Sequence, residues 1–195
     1  MSGVIAEVSV SLDGFIAGPN VAVGNGMGDG GERLHEWMFP ADGAAGSSDE
    51  VRVETLRTSG AVVMGRRMFD VGLEPWGDDP PFHMPVFVVT HRAGAPLVKQ
   101  GGTTYHFVTG GIEPALERAR AAASDRDVVV LGGADLIRQF VGAGLVDELR
   151  IHLVPVLLGD GTRLFERMGP EHIELECARV IGAPGVTHLT FRVVK

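Results

Sequence analysis

Apolar residues along the 195-residue chain fall into short runs, rich in Val and Ile, that alternate with stretches of helical periodicity. Runs of this length and composition are typical of strands rather than of buried helices. They predict eight strands, at residues 4–12, 61–64, 86–90, 104–108, 127–131, 148–158, 173–181 and 186–194.

Helical periodicity lies between several of these runs, at residues 48–58, 66–71, 113–123 and 135–143. Alternating strands and helices predict an α/β protein with a mixed, mostly parallel eight-stranded sheet that is flanked by helices. The last two strands are joined by residues 182–185, too few for a crossover helix, so we expect a C-terminal antiparallel hairpin. The length favours one domain over residues 1–195.

Residues 13–31 carry seven glycines and no sustained apolar period, which predicts a long mobile loop after the first strand. Because parallel sheets bind ligands beyond the carboxyl ends of their strands, this loop is either a lid over a ligand or a solvated linker. Residues 32–39 predict a short amphipathic helix with Leu34, Trp37 and Met38 near one side. That helix either caps a pocket or packs on the core.

The charge balance excludes one class of partner. The chain has 17 Lys and Arg against 25 Asp and Glu, a formal charge of −8, whereas general binding of nucleic acid requires a basic surface. The single cysteine, Cys177, cannot form an internal disulfide, and we expect its side chain to be packed in a strand. Without a visible signal peptide or membrane-spanning run, the chain is expected to be cytoplasmic, with no nucleic acid or membrane partner.

The histidines lack the paired spacing of metal ligands, so no metal is expected. Anion-binding groups, by contrast, follow several predicted strands. The strand at residues 61–64 is followed by Gly65 and then by Arg66 and Arg67 at a helix start. Since a helix N-terminus disfavours cations, two arginines there indicate a bound anion; the alternative is that both form surface ion pairs.

Two further strand ends carry similar groups. Gly132 and Gly133 lie between a strand and a helix, where glycines allow backbone N–H groups to approach a pyrophosphate, although such a pair also serves tight turns. The strand at residues 86–90 ends in Thr90, followed by His91 and Arg92, which suit a phosphate or a ribose. Three such strand ends in an acidic protein indicate a phosphate-rich nucleotide.

The motifs SLDGFIAG (11–18), VVMGRRMFD (62–70) and VVVLGGADLIRQFVGAGLVDELRIHLVPVLLGDGTRLF (128–165) resemble the dihydrofolate reductase-like superfamily. Within it, the chain is most similar to stand-alone relatives of the reductase domain of bacterial riboflavin-biosynthesis deaminase-reductases. The resemblance implies NADPH-dependent hydride transfer to a C=N-type bond of a pterin-like or ribosylaminopyrimidine substrate. It also implies a homodimer. The alternative is a non-catalytic NADPH-binding sensor or scaffold module.

The resemblance also implies which residues bind the cofactor. NADPH is expected rather than NADH, because guanidinium groups recognise a 2′-phosphate through charge-assisted hydrogen bonds. The lid entrance over the nicotinamide corresponds to Ile16 and Ala17. The Met-Gly-Arg turn corresponds to Gly65, Arg66 and Arg67, and the adenosine-side loop to Thr90, His91 and Arg92. The glycine turn corresponds to Gly132, Gly133, Ala134, Asp135, Leu136 and Ile137.

Two acids are candidates for the substrate end. Asp49 lies sixteen residues before Gly65, which is the spacing of the pterin-binding acid in dihydrofolate reductases. The alternative is that Asp49 belongs to a helix start at which Ser47 and Glu50 form a capping box. Asp13, at the end of the first strand, either orients substrate or ribose or initiates a turn before Gly14.

Overall fold

The computed structural model describes residues 2–39, 47–169 and 172–195. Within these ranges the chain forms eleven strands and four α-helices. The strands are β1 (Val4–Ser11), β2 (Phe15–Ala17), β3 (Ser59–Gly65), β4 (Pro85–Val89), β5 (Leu97–Val98), β6 (Thr104–Val108), β7 (Asp127–Gly132), β8 (Glu148–Val154), β9 (Thr162–Arg163), β10 (Leu175–Ala183) and β11 (Val186–Val193). The helices are α1 (Ser47–Thr58), α2 (Arg66–Trp76), α3 (Ile112–Ala123) and α4 (Ala134–Gly142).

Nine of the strands form one sheet, in the order β10-β11-β8-β1-β7-β3-β4-β6-β5. The central strands pair in parallel, and the edges formed by β10, β11 and β5 pair antiparallel. All eight predicted strands are present, as are the four predicted helices, so the mixed sheet with its C-terminal hairpin is confirmed. The ninth strand, β5, was not predicted because two residues are too few to show an alternating pattern.

The segment predicted as a long loop, residues 13–31, contains structure of its own. Its strand β2 pairs with β9 in a separate two-stranded sheet. Beyond β2, the Asn20 and Asn25 side-chain amides both donate to the Asp29 carboxylate, at 2.7 and 2.9 Å. The glycine count therefore reflects tight hydrogen-bonded turns, and residues 31–38 form two short 3₁₀ turns rather than the predicted amphipathic helix.

Helices cover both faces of the sheet. On one face, α3 and α4 pack against the central strands through Leu116, Ile137 and Phe140, which are all at most 3% exposed. On the other face, α2 packs through Phe69 on Met64 and Tyr105, and α1 lies further along this face towards β10. No helix within the described ranges is long and apolar enough to cross a membrane.

One edge of the sheet departs from the sequence prediction. The first six residues of β10 are exposed, and Cys177 among them is exposed rather than packed. The prediction was wrong because a regular alternation of side chains shows a strand, but it does not show whether another layer covers that strand.

Candidate functional site

Two glycine turns lie side by side at the carboxyl ends of β3 and β7. The strands are parallel neighbours, and a Cβ added to Gly65 would lie 3.5 Å from the Gly132 carbonyl oxygen and 3.6 Å from the Gly133 nitrogen. Gly132 has φ +111°, which favours glycine, and the Gly132–Gly133 peptide bond is cis. A Cβ on Gly133 would meet no atom within 4 Å, so the turn faces open space.

A helix begins directly after each turn, α2 after Gly65 and α4 after Gly133. Neither N-terminus has a side-chain cap, so the backbone N–H groups of both first turns point out of the sheet without side-chain partners. Free N–H groups and the positive end of the helix dipole favour anions, and two such ends lie together here. The arrangement fits the phosphates of a dinucleotide cofactor.

Arg66 lies at this site on the side of β4 and β6. Its Nε donates to the Asp70 carboxylate at 2.8 Å, and its guanidinium carbon lies 5.6 Å from the Phe69 ring centroid and 5.7 Å from the Phe107 ring centroid. Among the described residues, its two terminal amino groups have no partner. The guanidinium is thus held in place from one side and remains able to donate two hydrogen bonds from the other.

Arg67 points towards the segment after β2. Its Nη2 donates to the Val21 carbonyl oxygen at 2.9 Å, which ties α2 to that segment. The sequence alone is compatible with two roles for these arginines, binding an anion or forming surface ion pairs. In the structure Arg66 forms an ion pair within its own helix, while Arg67 binds a backbone carbonyl.

The loop predicted to lie on the adenosine side of the cofactor follows β4, the neighbour of β3. Thr90 is buried, and its hydroxyl accepts a hydrogen bond from the Arg92 N–H at 3.1 Å, which turns the chain. The His91 and Arg92 side chains are exposed. They follow the end of β4, whose last residue pairs with Gly65, so this loop lies beside the start of α2.

The predicted residues of α4 divide into two groups. Ala134, Leu136 and Ile137 are buried, and the latter two belong to the main core, so only their backbone groups are available to a ligand. Asp135 is exposed and accepts a hydrogen bond from the Gln139 side chain at 2.7 Å. Its carboxylate is an unfavourable neighbour for a phosphate, although it suits the helix N-terminus.

The predicted lid entrance lies in β2, beyond the end of β1. Ala17 is buried and pairs with Thr162 of β9, and Ile16 packs on the main core. Neither side chain is brought to the glycine turns by a contact in the structure. Their role over the nicotinamide stays a prediction.

Asp13 joins the end of β1 to the chain after β8. Its carboxylate accepts hydrogen bonds from the Ser11 hydroxyl at 2.6 Å, the Leu158 N–H at 3.1 Å and the Gly159 N–H at 2.7 Å. The Ser11 hydrogen bond, followed by the two amide hydrogen bonds, lowers the pKa of Asp13 to about 2. The carboxylate is therefore ionised throughout the physiological range, and its two oxygens already accept donors from the protein.

The other predicted acid, Asp49, belongs to the first turn of α1. Its side chain lies outside the described residues, so its role as a substrate acid stays a prediction. Its neighbour Ser48 is described, and the Ser48 hydroxyl lies 3.0 Å from His188 Nε2.

His188 is part of a polar cluster that sequence analysis missed. On the α1 face of the sheet, His152 Nδ1 lies 2.9 Å from His188 Nδ1, and His152 Nε2 lies 2.9 Å from Glu7 Oε1. Trp37 covers both imidazoles, with ring centroids 4.7 and 4.9 Å away. Polar residues at every second position of β1, β8 and β11 could have indicated this face, because they share one side of each strand.

Burial keeps the His35 and His188 imidazoles neutral at pH 7. Burial, together with the neighbouring His152, lowers the pKa of His188 to about 4 and the pKa of His35 to about 4. A cavity of about 220 Å³ lies between α1 and strands β8, β10 and β11, and His152 and His188 line it. Four of its charged residues form two ion pairs, Arg150 with Glu148 and Arg179 with Glu54, both with N–O distances of 2.6 Å.

Fold and site together define a class of protein: an α/β domain whose mostly parallel sheet presents paired glycine turns and helix N-termini at its carboxyl edge. Residues 3–188 match the family of the RibD C-terminal domain. The chain therefore belongs to this family of reductase-like domains, and its fold is dihydrofolate reductase-like.

Individual relatives are similar over most of the chain. An uncharacterised protein of Bacillus subtilis strain 168, YyaP, is 27% identical over 168 residues, which cover 83% of this chain and 79% of YyaP. A protein of Shewanella sp. PV-4 that has been proposed to act in riboflavin biosynthesis has a crystal structure with a TM-score of 0.74 and 22% identity, covering 99% of both chains.

Two more solved structures show the same fold at lower identity. A pyrimidine reductase-like protein of Corynebacterium diphtheriae has a TM-score of 0.62 and 13% identity, over 100% of this chain and 92% of its own. RibD of Acinetobacter baumannii has a TM-score of 0.65 and 18% identity; all of this chain is covered, but it spans only 59% of that RibD chain.

Proposed function

We propose that the protein is an NADPH-dependent reductase that transfers a hydride to a C=N-type bond of a pterin-like or ribosylaminopyrimidine heterocycle. The observation that carries this proposal is the pair of uncapped helix N-termini at Gly65 and Gly133, on adjacent parallel strands. Membership of the RibD C-terminal domain family supports it, as do relatives whose names point to riboflavin biosynthesis and to pyrimidine reduction.

Each part of the site has a role in this reaction. When bound, the nicotinamide supplies the hydride, and the chain's own groups position it. The two helix N-termini bind the pyrophosphate, while the terminal amino groups of Arg66 bind the 2′-phosphate beside Thr90 and Arg92. Asp49 is proposed to bind the nitrogen-rich edge of the substrate. The residue 31–38 segment, with Trp37, excludes water from the reacting atoms. A cytoplasmic homodimer stays a prediction.

Calorimetric titration of the purified protein with NADPH, and with NADH as the matched ligand, tests the cofactor assignment before a substrate is chosen. We expect NADPH to bind with a dissociation constant of about 10 μM or lower, and NADH to bind at least about tenfold more weakly, because only NADPH offers the 2′-phosphate. If neither dinucleotide binds, the glycine turns are purely structural. If NADPH binds but neither dihydrofolate nor the ribosylaminopyrimidine is reduced, the proposed substrate is wrong and the cofactor site stands.

Replacing Arg66 with alanine is expected to weaken NADPH binding about 10- to 100-fold, since charge-assisted hydrogen bonds contribute about 1.5–3 kcal/mol. NADH binding should change less than about twofold, because NADH lacks the 2′-phosphate. The same titrations check this result. Arg126→Ala is the matched control. Arg126 is an exposed arginine just before β7, at the amino end of that strand and so at the end of the sheet remote from the glycine turns. If the affinities for NADPH and NADH fell equally, Arg66 would not bind the 2′-phosphate.

A further inference from the structure

The buried polar cluster under α1 is an unbroken chain of hydrogen bonds. It runs from Glu7 Oε1 to His152 Nε2, from His152 Nδ1 to His188 Nδ1, and from His188 Nε2 to Ser48 Oγ, with steps of 2.9, 2.9 and 3.0 Å. His152 and His188 are each 4% exposed and lie directly opposite one another on β8 and β11. This chain of hydrogen bonds thus crosses three adjacent strands and ends at the N-terminus of α1.

Elementary hydrogen-bond chemistry gives this chain one direction when Glu7 is ionised. A carboxylate only accepts, so His152 donates through Nε2 and, as a neutral imidazole, accepts at Nδ1. His188 must then donate through Nδ1 and accept at Nε2, and the hydrogen of the Ser48 hydroxyl points inwards to His188. Each group's role follows from that of its neighbour.

Adding one proton reverses the chain. When Glu7 and His152 together hold an extra proton, His152 Nδ1 becomes a donor, and His188 can accept it only by moving its own proton from Nδ1 to Nε2. His188 Nε2 then donates to the Ser48 oxygen. The Ser48 hydrogen is released from His188 and becomes available to an acceptor at the start of α1. His188 changes tautomer in this step and stays neutral.

Further contacts indicate that this chain exchanges protons rather than only holding the strands together. Glu7 Oε2 is buried and has no hydrogen-bond partner among the described residues. A buried carboxylate with a purely structural role normally has both of its oxygens hydrogen-bonded. The cavity of about 220 Å³ reaches both imidazoles and has room for water, while Trp37 covers their other side and donates to Ser9 at 3.1 Å.

We propose that Glu7, His152, His188 and Ser48 form a proton relay that carries one proton from water in the cavity under α1 to the substrate end of the site. This inference rests on the proposed reductase function. Reduction of a C=N bond needs one proton on nitrogen in addition to the hydride. The relay supplies it through Ser48: Ser48 gives its proton to the nitrogen, His188 reprotonates Ser48, His152 reprotonates His188, and the Glu7–His152 pair regains its proton from water.

The charged and titratable groups that surround the relay come from every element packed on it. Thr55 of α1 links Glu7 Oε1 to the Arg150 guanidinium, at 3.1 and 3.0 Å. Among the described side chains, the remaining groups are His35 in the segment before α1, Glu54 on α1, Glu148 on β8, Arg179 on β10 and Arg192 on β11. The arginines among them stay charged at neutral pH, and His35 is neutral there because burial lowers its pKa to about 4.

Nitrogen-15 NMR of the imidazoles in the cofactor-free protein tests the relay, because the shifts of the two ring nitrogens distinguish the tautomers. As the pH is lowered from about 8 to about 5, we expect the His188 imidazole to move from the Nδ1–H to the Nε2–H tautomer without becoming a cation. A His188 that keeps one tautomer, or that becomes doubly protonated, overturns the proposal. This measurement needs no variant.

A matched pair of variants tests the part that Glu7 plays in the relay. Glu7→Gln removes the carboxylate that stabilises the extra proton on the pair, so the midpoint of the tautomer change should fall by about one pH unit or more. Glu54→Gln removes a carboxylate from the same cavity but not from the relay, and it should leave the midpoint unchanged. Equal effects of the two variants overturn the relay. If NADPH binds but the tautomer change is absent, the relay proposal alone is wrong. If the tautomer change is present but NADPH does not bind, the reductase proposal alone is wrong.

Discussion

Gly133→Ala is expected to weaken NADPH binding by at least about tenfold while leaving the protein folded. The backbone of Gly133 has φ −65°, which alanine adopts, and its added Cβ would meet no protein atom within 4 Å. The methyl group would therefore enter the open space in front of the α4 N-terminus. A phosphate that hydrogen bonds to backbone N–H groups must approach them within about 3 Å, so the methyl group excludes it.

Calorimetric titration with NADPH and a thermal melt of each variant check this prediction together. Gly142→Ala is the matched control, because Gly142 belongs to the same helix, also has open space at its Cβ, and lies at the end remote from the turn. The control should bind NADPH normally. A Gly133→Ala protein that melts like the wild type and binds NADPH equally well would show that the glycine turn does not contact the cofactor.

The order of strands and helices could be predicted from the sequence because buried parallel strands are continuous apolar runs, and such runs are visible without tertiary information. The strands β2, β5 and β9 could not, since each has only two or three residues. In addition, β2 and β9 are far apart in sequence: Phe15 of β2 pairs with Arg163 of β9. Tertiary pairing, rather than local propensity, produces these elements.

In the candidate site too, features with a local sequence signal could be predicted, and features that depend on contacts between distant strands could not. Gly65, Gly132 and Gly133 could be predicted, because a glycine directly after a buried strand indicates a turn whose backbone is approached closely. The Glu7, His152 and His188 cluster could not be assembled, because its members lie on three strands separated by up to 181 positions of sequence. Only the sheet order β11-β8-β1 brings them together.

Acid is expected to destabilise the protein well before its carboxylates are protonated. Burial lowers the pKa of both His35 and His188 to about 4, from an ordinary value of 6.5. Between these two pH values the unfolded chain binds more protons than the folded one, so stability falls as the pH decreases from about 6.5 to about 4. At pH 5, each histidine should lower the free energy of unfolding by about 1–2 kcal/mol relative to pH 7.

Chemical denaturation at pH 7 and at pH 5 measures this loss, which should total about 2–4 kcal/mol for the wild type. His35→Gln removes one of the two imidazoles whose pKa is lowered to about 4, so its difference in unfolding free energy between the two pH values should shrink by about 1–2 kcal/mol. His91→Gln is the matched control, because His91 is exposed in the loop after β4 and should leave the difference unchanged. The two variants should differ because His35 is shielded from solvent in the folded protein and His91 is not. Protonation of an imidazole lowers the free energy of unfolding only where folding takes that imidazole out of water. A wild-type protein equally stable at both pH values would mean that His35 and His188 are protonated in the folded state at pH 5.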